Sequence, residues 1–247
     1  MATKDHFQPM TEDTLRDMSP SDALNRLKSG NKRFLKQLDG EFEKRRKLRK
    51  FVNETSSKGQ FPFAIVLSCV DSRMPTEILF DQSIGDIFNA RIAGNFVNED
   101  ILGSMEFACS RTNKKGELIG SKLILVLGHT SCGAVGGAFQ KVYPECFGLK
   151  EDEVEFPANL GQMLENITPA IKVTSLDMAV GKYCKGDKWK SKFVNRAAEN
   201  NVALTIKNIL IRSDTLRGLY NNGDIGIEGA MYDIKTGKVT FNKSLVS

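Results

Sequence analysis

Continuous apolar runs alternate with amphipathic segments along most of the chain. The runs at 63–68 and 122–127 are almost entirely apolar, which is typical of strands buried on both faces. Further strands are predicted at 86–91, 226–233 and 238–241, and Lys235-Thr236-Gly237 joins the last two as a hairpin. Because helical patterns separate the other strands, we predict an α/β fold. It is a single domain with a mostly parallel central sheet, four parallel strands plus an antiparallel edge strand, flanked by helices.

The helical segments divide the chain into an arm and a core. Residues 1–18 are polar and predicted to be loosely held, and a helix then starts at Ser19-Pro20, a capping hydroxyl followed by proline in the first turn. We assign 1–50 to an N-terminal arm of helices and 51–247 to the α/β core, all within one domain, 1–247. Core helices are predicted at 75–82, 99–111, 132–139, 166–184 and 191–218, with an irregular surface excursion at 141–166.

Charge and composition narrow the range of partners. The formal net charge of +5 is modest for 247 residues, and no basic stripe is interleaved with aromatics, so we predict no nucleic-acid partner. The charge run at 41–50 is interpreted as a solvated helix face, with a docking surface for an acidic partner as the alternative. No apolar run is long enough for a membrane span, and the start of the sequence has no apolar signal region. We therefore expect a cytoplasmic protein with no membrane partner.

The cysteines agree with that expectation. Their odd number and wide scatter favour a reducing compartment over a disulfide framework. Cys109 lies in a helical pattern and is predicted to be a small core residue. Cys146 and Cys184 lie in irregular polar stretches and are predicted to be free thiols.

The remaining two cysteines belong to two sequence motifs that contain the candidate catalytic and metal-binding residues. Cys69-Val70-Asp71-Ser72-Arg73 follows the first buried strand, and His129-Thr130-Ser131-Cys132 follows the third. The carboxyl ends of strands are where open α/β sheets place their sites. Two thiolates and one imidazole are zinc ligands, and a set of three leaves a position for water. We predict one Zn²⁺ per subunit, held by Cys69, His129 and Cys132.

Asp71 and Arg73 are the candidate catalytic pair beside this metal. If 69–73 stays extended, the side chains of Cys69, Asp71 and Arg73 share one face. Two thiolates neutralise the charge of zinc, so an acceptor is needed to orient the activated water, and a planar guanidinium can hold Asp71 ionised. The alternative is that Asp71 is itself a fourth metal ligand in a closed, inactive state, and the sequence leaves both open.

The motifs at 69–73 and 129–132 resemble those of the β-class carbonic anhydrase family. The stretch from Asp81 to Asn95, the helix at 19–34 and the strand at 229–233 are also similar to that family. The resemblance implies reversible hydration of carbon dioxide to bicarbonate and a proton, with zinc on Cys69, His129 and Cys132 and a working pair at Asp71 and Arg73. It also implies homodimers or higher assemblies such as tetramers, built through the N-terminal helices and the sheet edge.

Three further positions are predicted to contact the substrate. Some family members hold the substrate with a glutamine nine residues before the first ligand, where this chain has Gln60. Phe88 falls at a position that lines the family's carbon dioxide pocket. Gly133 is a third candidate, although Gly133, Gly136 and Gly137 are also explained by close helix packing, since no Gly-Lys-Ser/Thr ending marks a phosphate loop.

Other functions stay open at this point. A carbonyl sulfide or carbon disulfide hydrolase would share the scaffold and the ligand set. A zinc-dependent module that binds bicarbonate or a partner without turnover is a different class. The Asp71 and Arg73 pair argues against the binding module, because such a module has no need to keep an open water site.

Overall fold

The structure is a computed structural model that describes residues 10–38, 48–178, 180, 184 and 186–242. Its strands are β1 (Ala64–Ser68), β2 (Ile87–Arg91), β3 (Leu123–His129), β4 (Gly226–Tyr232) and β5 (Val239–Phe241). Its α-helices are α1 (Glu12–Arg16), α2 (Pro20–Leu38), α3 (Leu48–Lys58), α4 (Thr76–Leu79), α5 (Glu99–Cys109), α6 (Gly133–Val142), α7 (Ala158–Glu165), α8 (Thr168–Met178), α9 (Asp187–Arg212) and α10 (Asp214–Asn221). Short 3₁₀ turns occupy Pro144–Phe147 and Glu151–Glu153.

The strands form one sheet in the order β2-β1-β3-β4-β5. The first four strands are parallel and β5 pairs antiparallel with β4, which confirms the predicted α/β fold. Alternation along β3 divides its side chains between the two faces, so that Leu123, Leu125 and Leu127 join one core cluster and Ile124 and Val126 join the other. Both faces are covered by helices, which explains why the strand sequences are almost entirely apolar.

The helices α1 and α2 cover one face of the sheet. The predicted start of α2 is confirmed, because Ser19 Oγ accepts a hydrogen bond from Asp22 N and Asp22 accepts one from Ser19 N. The expectation of a loose segment up to residue 18 is wrong for 10–18, since α1 forms there and its Leu15 is fully buried in the core. The proposed boundary at residue 50 lies inside α3. Residues 1–9 and most of the charge run at 41–50 lie outside the described residues.

Three predictions in the second half of the chain need correction. The helix expected over 191–218 is broken, because Ser213 ends α9 and its hydroxyl caps α10 by accepting a hydrogen bond from Leu216 N. The helix expected over 166–184 ends at Met178. The excursion at 141–166 contains α7, and its Leu164 is part of the core.

The cysteines outside the metal site also differ from expectation. Cys146 and Cys184 are joined by a disulfide, so the prediction of two free thiols is wrong. Both are buried against the core that surrounds α6 and α9. Their burial was not predicted because their neighbours in the sequence are polar. Cys109 is fully buried as predicted, and burial raises the pKa of its thiol to about 12.

Among the described residues, no helix combines the length and the apolar character needed to cross a bilayer.

Candidate metal centre

The site lies where the direction of sheet winding changes. The chain passes from β1 to its neighbour on one side, β2, and then returns to the other side as β3. Ligands of open α/β sheets bind at such a switch point, outside the carboxyl ends of the strands. Cys69 directly follows β1, His129 is the last residue of β3, and the two strands are paired at Ser68 and Leu127. The sheet therefore brings the two motifs together, as predicted.

Cys69, His129 and Cys132 form a compact buried group. Their ligand atoms all lie within 4.8 Å of one another, and the two sulfur atoms are 4.0 Å apart. None of the three side chains is more than 4% exposed. Two thiols and an imidazole in this arrangement are a donor set that suits Zn²⁺.

The orientation of His129 supports a metal in this position. Its Nδ1 lies 3.0 Å from the carbonyl oxygen of Thr130, which can only accept, so Nδ1 carries the proton and donates it. Nε2 then has a free lone pair facing the sulfur atoms. Nε2 is buried without a hydrogen-bond partner among the described residues. A buried polar atom without a partner is costly, and a zinc ion held by Nε2 would remove that cost.

The two thiols share a hydrogen bond and titrate together. The hydrogen bond with Cys132 lowers the pKa of Cys69, and the side chain of His129 and the backbone amide of Gly94, 3.3 Å from Cys69 Sγ, act in the same direction. The same shared bond, together with burial, raises the pKa of Cys132. The protein therefore favours the thiolate form at Cys69 over that at Cys132, and a zinc ion held here would supply the positive charge that favours a thiolate at both.

Asp71 is held by Arg73 at the rim of this group. Arg73 Nε donates to Asp71 Oδ1 at 2.8 Å and Arg73 Nη2 donates to Oδ2 at 2.6 Å, the bidentate contact that was predicted. These bonds hold the pKa of the Asp71 carboxyl well below its usual range. Asp71 Oδ2 lies 4.0 Å from His129 Nε2. The carboxylate is therefore next to the ligands while both of its oxygens are engaged by Arg73.

The local backbone differs from the predicted extended stretch. Met74 N donates to Asp71 O at 3.0 Å, and Arg73 N donates to Asp71 Oδ1 at 2.9 Å, so the chain turns immediately after Cys69. Asp71 and Arg73 meet across this turn rather than along one face of a strand. The turn is itself an Asx-type turn, which the aspartate stabilises through its own side chain.

One supporting side chain near the ligands was not predicted. Arg91, the last residue of β2, donates from Nε to Cys69 O at 3.0 Å and from Nη2 to Asp71 O at 2.6 Å. It braces the turn that carries the first ligand and the acid. Its place at a carboxyl strand end, in the same layer as Cys69, is the signal in the sequence that points to it.

The three substrate-binding candidates lie in different places. Gln60 is exposed and precedes β1, so the length of that strand, about 16 Å, separates it from Cys69 of the same chain. Phe88 lies on the edge strand β2, with its ring 6.3 Å from that of Phe107. Gly133 opens α6 directly after Cys132 and is therefore close to the ligands in sequence and space.

Close helix packing does not explain the glycines at the start of α6. A Cβ atom at Gly133 or Gly136 would meet nothing within 4 Å, and one at Gly137 would make an ordinary contact of 3.5 Å with Leu164. The packing alternative is therefore wrong for the first two. At position 94, in contrast, a glycine is favoured by the φ of +79°, and Gly94 forms a left-handed turn with Asn95 beside the site.

The fold and the ligand set together define a zinc metalloprotein of the α/β class. A family model described as carbonic anhydrase matches residues 64–239, which is most of the chain. A carbonic anhydrase of Mycolicibacterium smegmatis is 31% identical over 233 residues, covering 92% of this chain and 95% of that protein. Carbonic anhydrase 2 of Mycobacterium tuberculosis is 29% identical over 181 residues, covering 73% of this chain and 74% of that protein.

Solved structures show the same fold. A tetrameric β-carbonic anhydrase of Sordaria macrospora superposes with a TM-score of 0.63 at 21% identity, covering 79% of this chain and 87% of that one. A β-carbonic anhydrase of Aspergillus fumigatus superposes with a TM-score of 0.61 at 21% identity, covering 91% and 90%. The chain belongs to the β-class carbonic anhydrase family.

Proposed function

We propose that this protein catalyses the reversible hydration of carbon dioxide to bicarbonate and a proton. The observation that carries the proposal is the buried group of Cys69, His129 and Cys132, with the partnerless Nε2 of His129 facing two sulfur atoms and the Asp71 carboxylate beside it. Family membership supports the same reaction. A zinc ion held by these three ligands would supply a water molecule of lowered pKa, which is the nucleophile the reaction needs at neutral pH.

Asp71 and Arg73 orient the nucleophile in this proposal. Because Arg73 keeps Asp71 ionised, the carboxylate can only accept hydrogen bonds. The Asp71 carboxylate therefore accepts a hydrogen bond from the O–H group of the nucleophile. This orientation leaves a lone pair of the nucleophile's oxygen free to face carbon dioxide. The reaction joins that oxygen to the carbon of carbon dioxide and gives bicarbonate, while the proton of the water leaves to solvent.

Arg73 also decides whether the site is open. Asp71 Oδ2 is close enough to the ligand group that a carboxylate released by Arg73 would compete for the metal. With both oxygens bound by Arg73, Asp71 is held in the open arrangement. The closed, inactive state with Asp71 as fourth ligand requires this ion pair to break.

Gln60, Phe88 and Gly133 are proposed substrate contacts, and the first two require a second subunit. Gln60 lies beyond the opposite end of β1 from its own metal group, and Phe88 lies on the free edge of the sheet as the described strands form it. We propose a homodimer or tetramer in which this edge meets a second copy. The 66% exposure of Phe107 beside Phe88 supports an interface there.

A cytoplasmic location, a single functional domain over 1–247 and the absence of nucleic-acid and membrane partners complete the proposal. The cysteine argument for a reducing compartment is weakened by the Cys146–Cys184 disulfide. Cell fractionation with an antibody against the protein tests the location directly.

Stopped-flow measurement of carbon dioxide hydration tests the reaction. The zinc-loaded protein should be active, and Asp71→Asn should keep zinc while losing roughly 10- to 100-fold in rate. Cys69→Ser should lose both zinc and activity, whereas the matched control Asp100→Asn, on the exposed face of α5, should behave as wild type. Absence of zinc, or equal rates in all four proteins, would overturn the proposal. Carbonyl sulfide turnover exceeding carbon dioxide hydration would favour the hydrolase instead.

A further inference from the structure

Polar side chains interrupt the buried face of α9 where it passes the metal centre. Asn201 and Thr205 are each only 2% exposed, among apolar neighbours such as Ala198 and Val202. Burying an amide or a hydroxyl is unfavourable unless its hydrogen bonds are made. Packing alone would favour apolar residues at these positions, so their partners indicate what the polar groups do.

Asn201 holds the loop that touches the first metal ligand. Its Nδ2 donates to Gly94 O at 2.7 Å, and Gly94 N in turn donates to Cys69 Sγ at 3.3 Å. Thr205 Oγ1 donates to the next carbonyl, Asn95 O, at 3.3 Å. Gly94 and Asn95 have φ values of +79° and +41°, a left-handed pair that needs outside support.

Asn195 holds the loop between the other two ligands. Its Oδ1 accepts a hydrogen bond from Ser131 N at 2.8 Å. Ser131 has a φ of +56°, which is unusual for a residue with a side chain. This left-handed turn is what allows His129 and Cys132 to face the same point, one from the end of β3 and one from the start of α6.

We propose that Asn195 and Asn201 are positioning residues through which α9 fixes both ligand loops in metal-binding geometry. The two residues lie within two turns of one rigid helix, about 9 Å apart along its axis. Each is hydrogen-bonded to the backbone of a ligand loop, Asn195 to Ser131 and Asn201 to Gly94. The inference rests on the proposed function for its biological meaning, but its measurable consequence is the affinity for zinc.

The helix also offers a matched control. Asn200 is adjacent to Asn201 and donates from Nδ2 to Thr174 Oγ1 at 2.8 Å, toward α8, which carries no ligand. Asn200→Ala removes an equivalent bond from the same helix without touching either ligand loop. Asn195→Asp keeps an oxygen acceptor for Ser131 N, whereas Asn195→Ala removes it.

Zinc affinity should be measured by competition with a chromophoric chelator, after zinc is stripped from the purified protein. Asn195→Ala and Asn201→Ala should each weaken binding by roughly 10- to 100-fold, and Asn195→Asp and Asn200→Ala should bind as wild type does. Cobalt substitution gives a second readout, since a loosened ligand set should alter the visible absorption bands of the two Ala variants alone.

Wild-type zinc affinity in both Ala variants would overturn the inference. Equal weakening in Asn200→Ala would also overturn it, because the effect would then come from the stability of α9. If Asn201→Ala does not fold, the zinc affinities of Asn195→Ala and Asn195→Asp still test the inference, and equal affinities in these two variants would overturn it. A wild-type protein that binds zinc but does not hydrate carbon dioxide would refute the proposed function and leave this inference standing.

Discussion

At the scale of single residues, the site depends on groups that hold other groups in place. Arg73 holds the Asp71 carboxylate, and Arg91 holds the backbone on either side of Val70 through Cys69 O and Asp71 O. The guanidinium of Arg91 reaches two carbonyls from one rigid plane, which a lysine ammonium does not reproduce. Arg91 therefore couples the position of the metal ligand to that of the acid.

Arg91→Lys should lower carbon dioxide hydration by roughly 10-fold while zinc stays bound, because the ligand side chains are unchanged but the turn at 69–71 loosens. Stopped-flow rates together with metal analysis of the same sample measure both effects. Arg217→Lys is the control, since Arg217 donates to a backbone carbonyl, Leu210 O, far from the metal centre. An Arg91→Lys protein as active as wild type would contradict the bracing role.

At the scale of secondary-structure elements, α2 packs into the core of the molecule. Asn31 is buried in the middle of α2 and donates from Nδ2 to Leu79 O at 3.0 Å and to Gly237 O at 3.1 Å. Its Oδ1 accepts a hydrogen bond from Val239 N at 3.0 Å. One side chain thus joins α2 to the end of α4 and to the hairpin that leads into β5.

Asn31→Ala should lower the free energy of unfolding by about 3 kcal/mol, because it leaves two carbonyls and one N–H without partners in a buried place. Urea denaturation of the zinc-loaded protein measures the change. Asn25→Ala, at an exposed position of the same helix, should change the stability by less than about 0.5 kcal/mol. Similar losses in the two variants would show that helix propensity, and not the buried contacts, accounts for the effect.

At the scale of the whole molecule, the disulfide links the segment after α6 to the segment before α9, the two helices that lie beside the metal centre. Cys146 follows α6 and Cys184 precedes α9. When the protein is denatured without a reductant and its zinc is chelated, a thiol reagent should modify Cys69, Cys109 and Cys132 alone. Reduction before denaturation should expose all five cysteines. Five reactive thiols without reduction would refute the disulfide, and mass mapping of the modified peptides identifies each position.

A substitution that introduces a charge at the free edge of the sheet tests the proposed subunit interface. Phe107→Asp places a carboxylate beside Phe88 and should convert the assembly to monomers, because burying an unpaired charge is unfavourable. Light scattering during gel filtration measures the mass. Leu176→Asp alters a more exposed apolar side chain, on α8, and should leave the assembly intact. An unchanged mass for Phe107→Asp would place the interface elsewhere.

Subunit separation should also affect activity. If Gln60 and Phe88 complete the site of a second copy, the monomeric Phe107→Asp protein should bind zinc normally but hydrate carbon dioxide slowly, since its own ligand group stays complete. Full activity in the monomer would remove both residues from the substrate site.

The sequence by itself determined the strands, the fold class and the candidate metal ligands. An apolar run such as 123–127 predicts a buried strand from local sequence alone. A thiol or an imidazole is a potential zinc ligand in any fold, so Cys69, His129 and Cys132 could be identified from residue type. Their position after buried strands was sufficient to bring them together, because parallel strands end at the same edge of a sheet.

Only the tertiary structure decided the contacts that span the chain. Asn201 and Gly94 are 107 positions apart, Asn195 and Ser131 are 64 apart, and the disulfide joins cysteines 38 apart. No local periodicity distinguishes an asparagine that faces a ligand loop from one that faces α8. The turn that brings Arg73 onto Asp71 is likewise a matter of backbone geometry, so the sequence left the state of Asp71 open and the folded chain placed its carboxylate on Arg73.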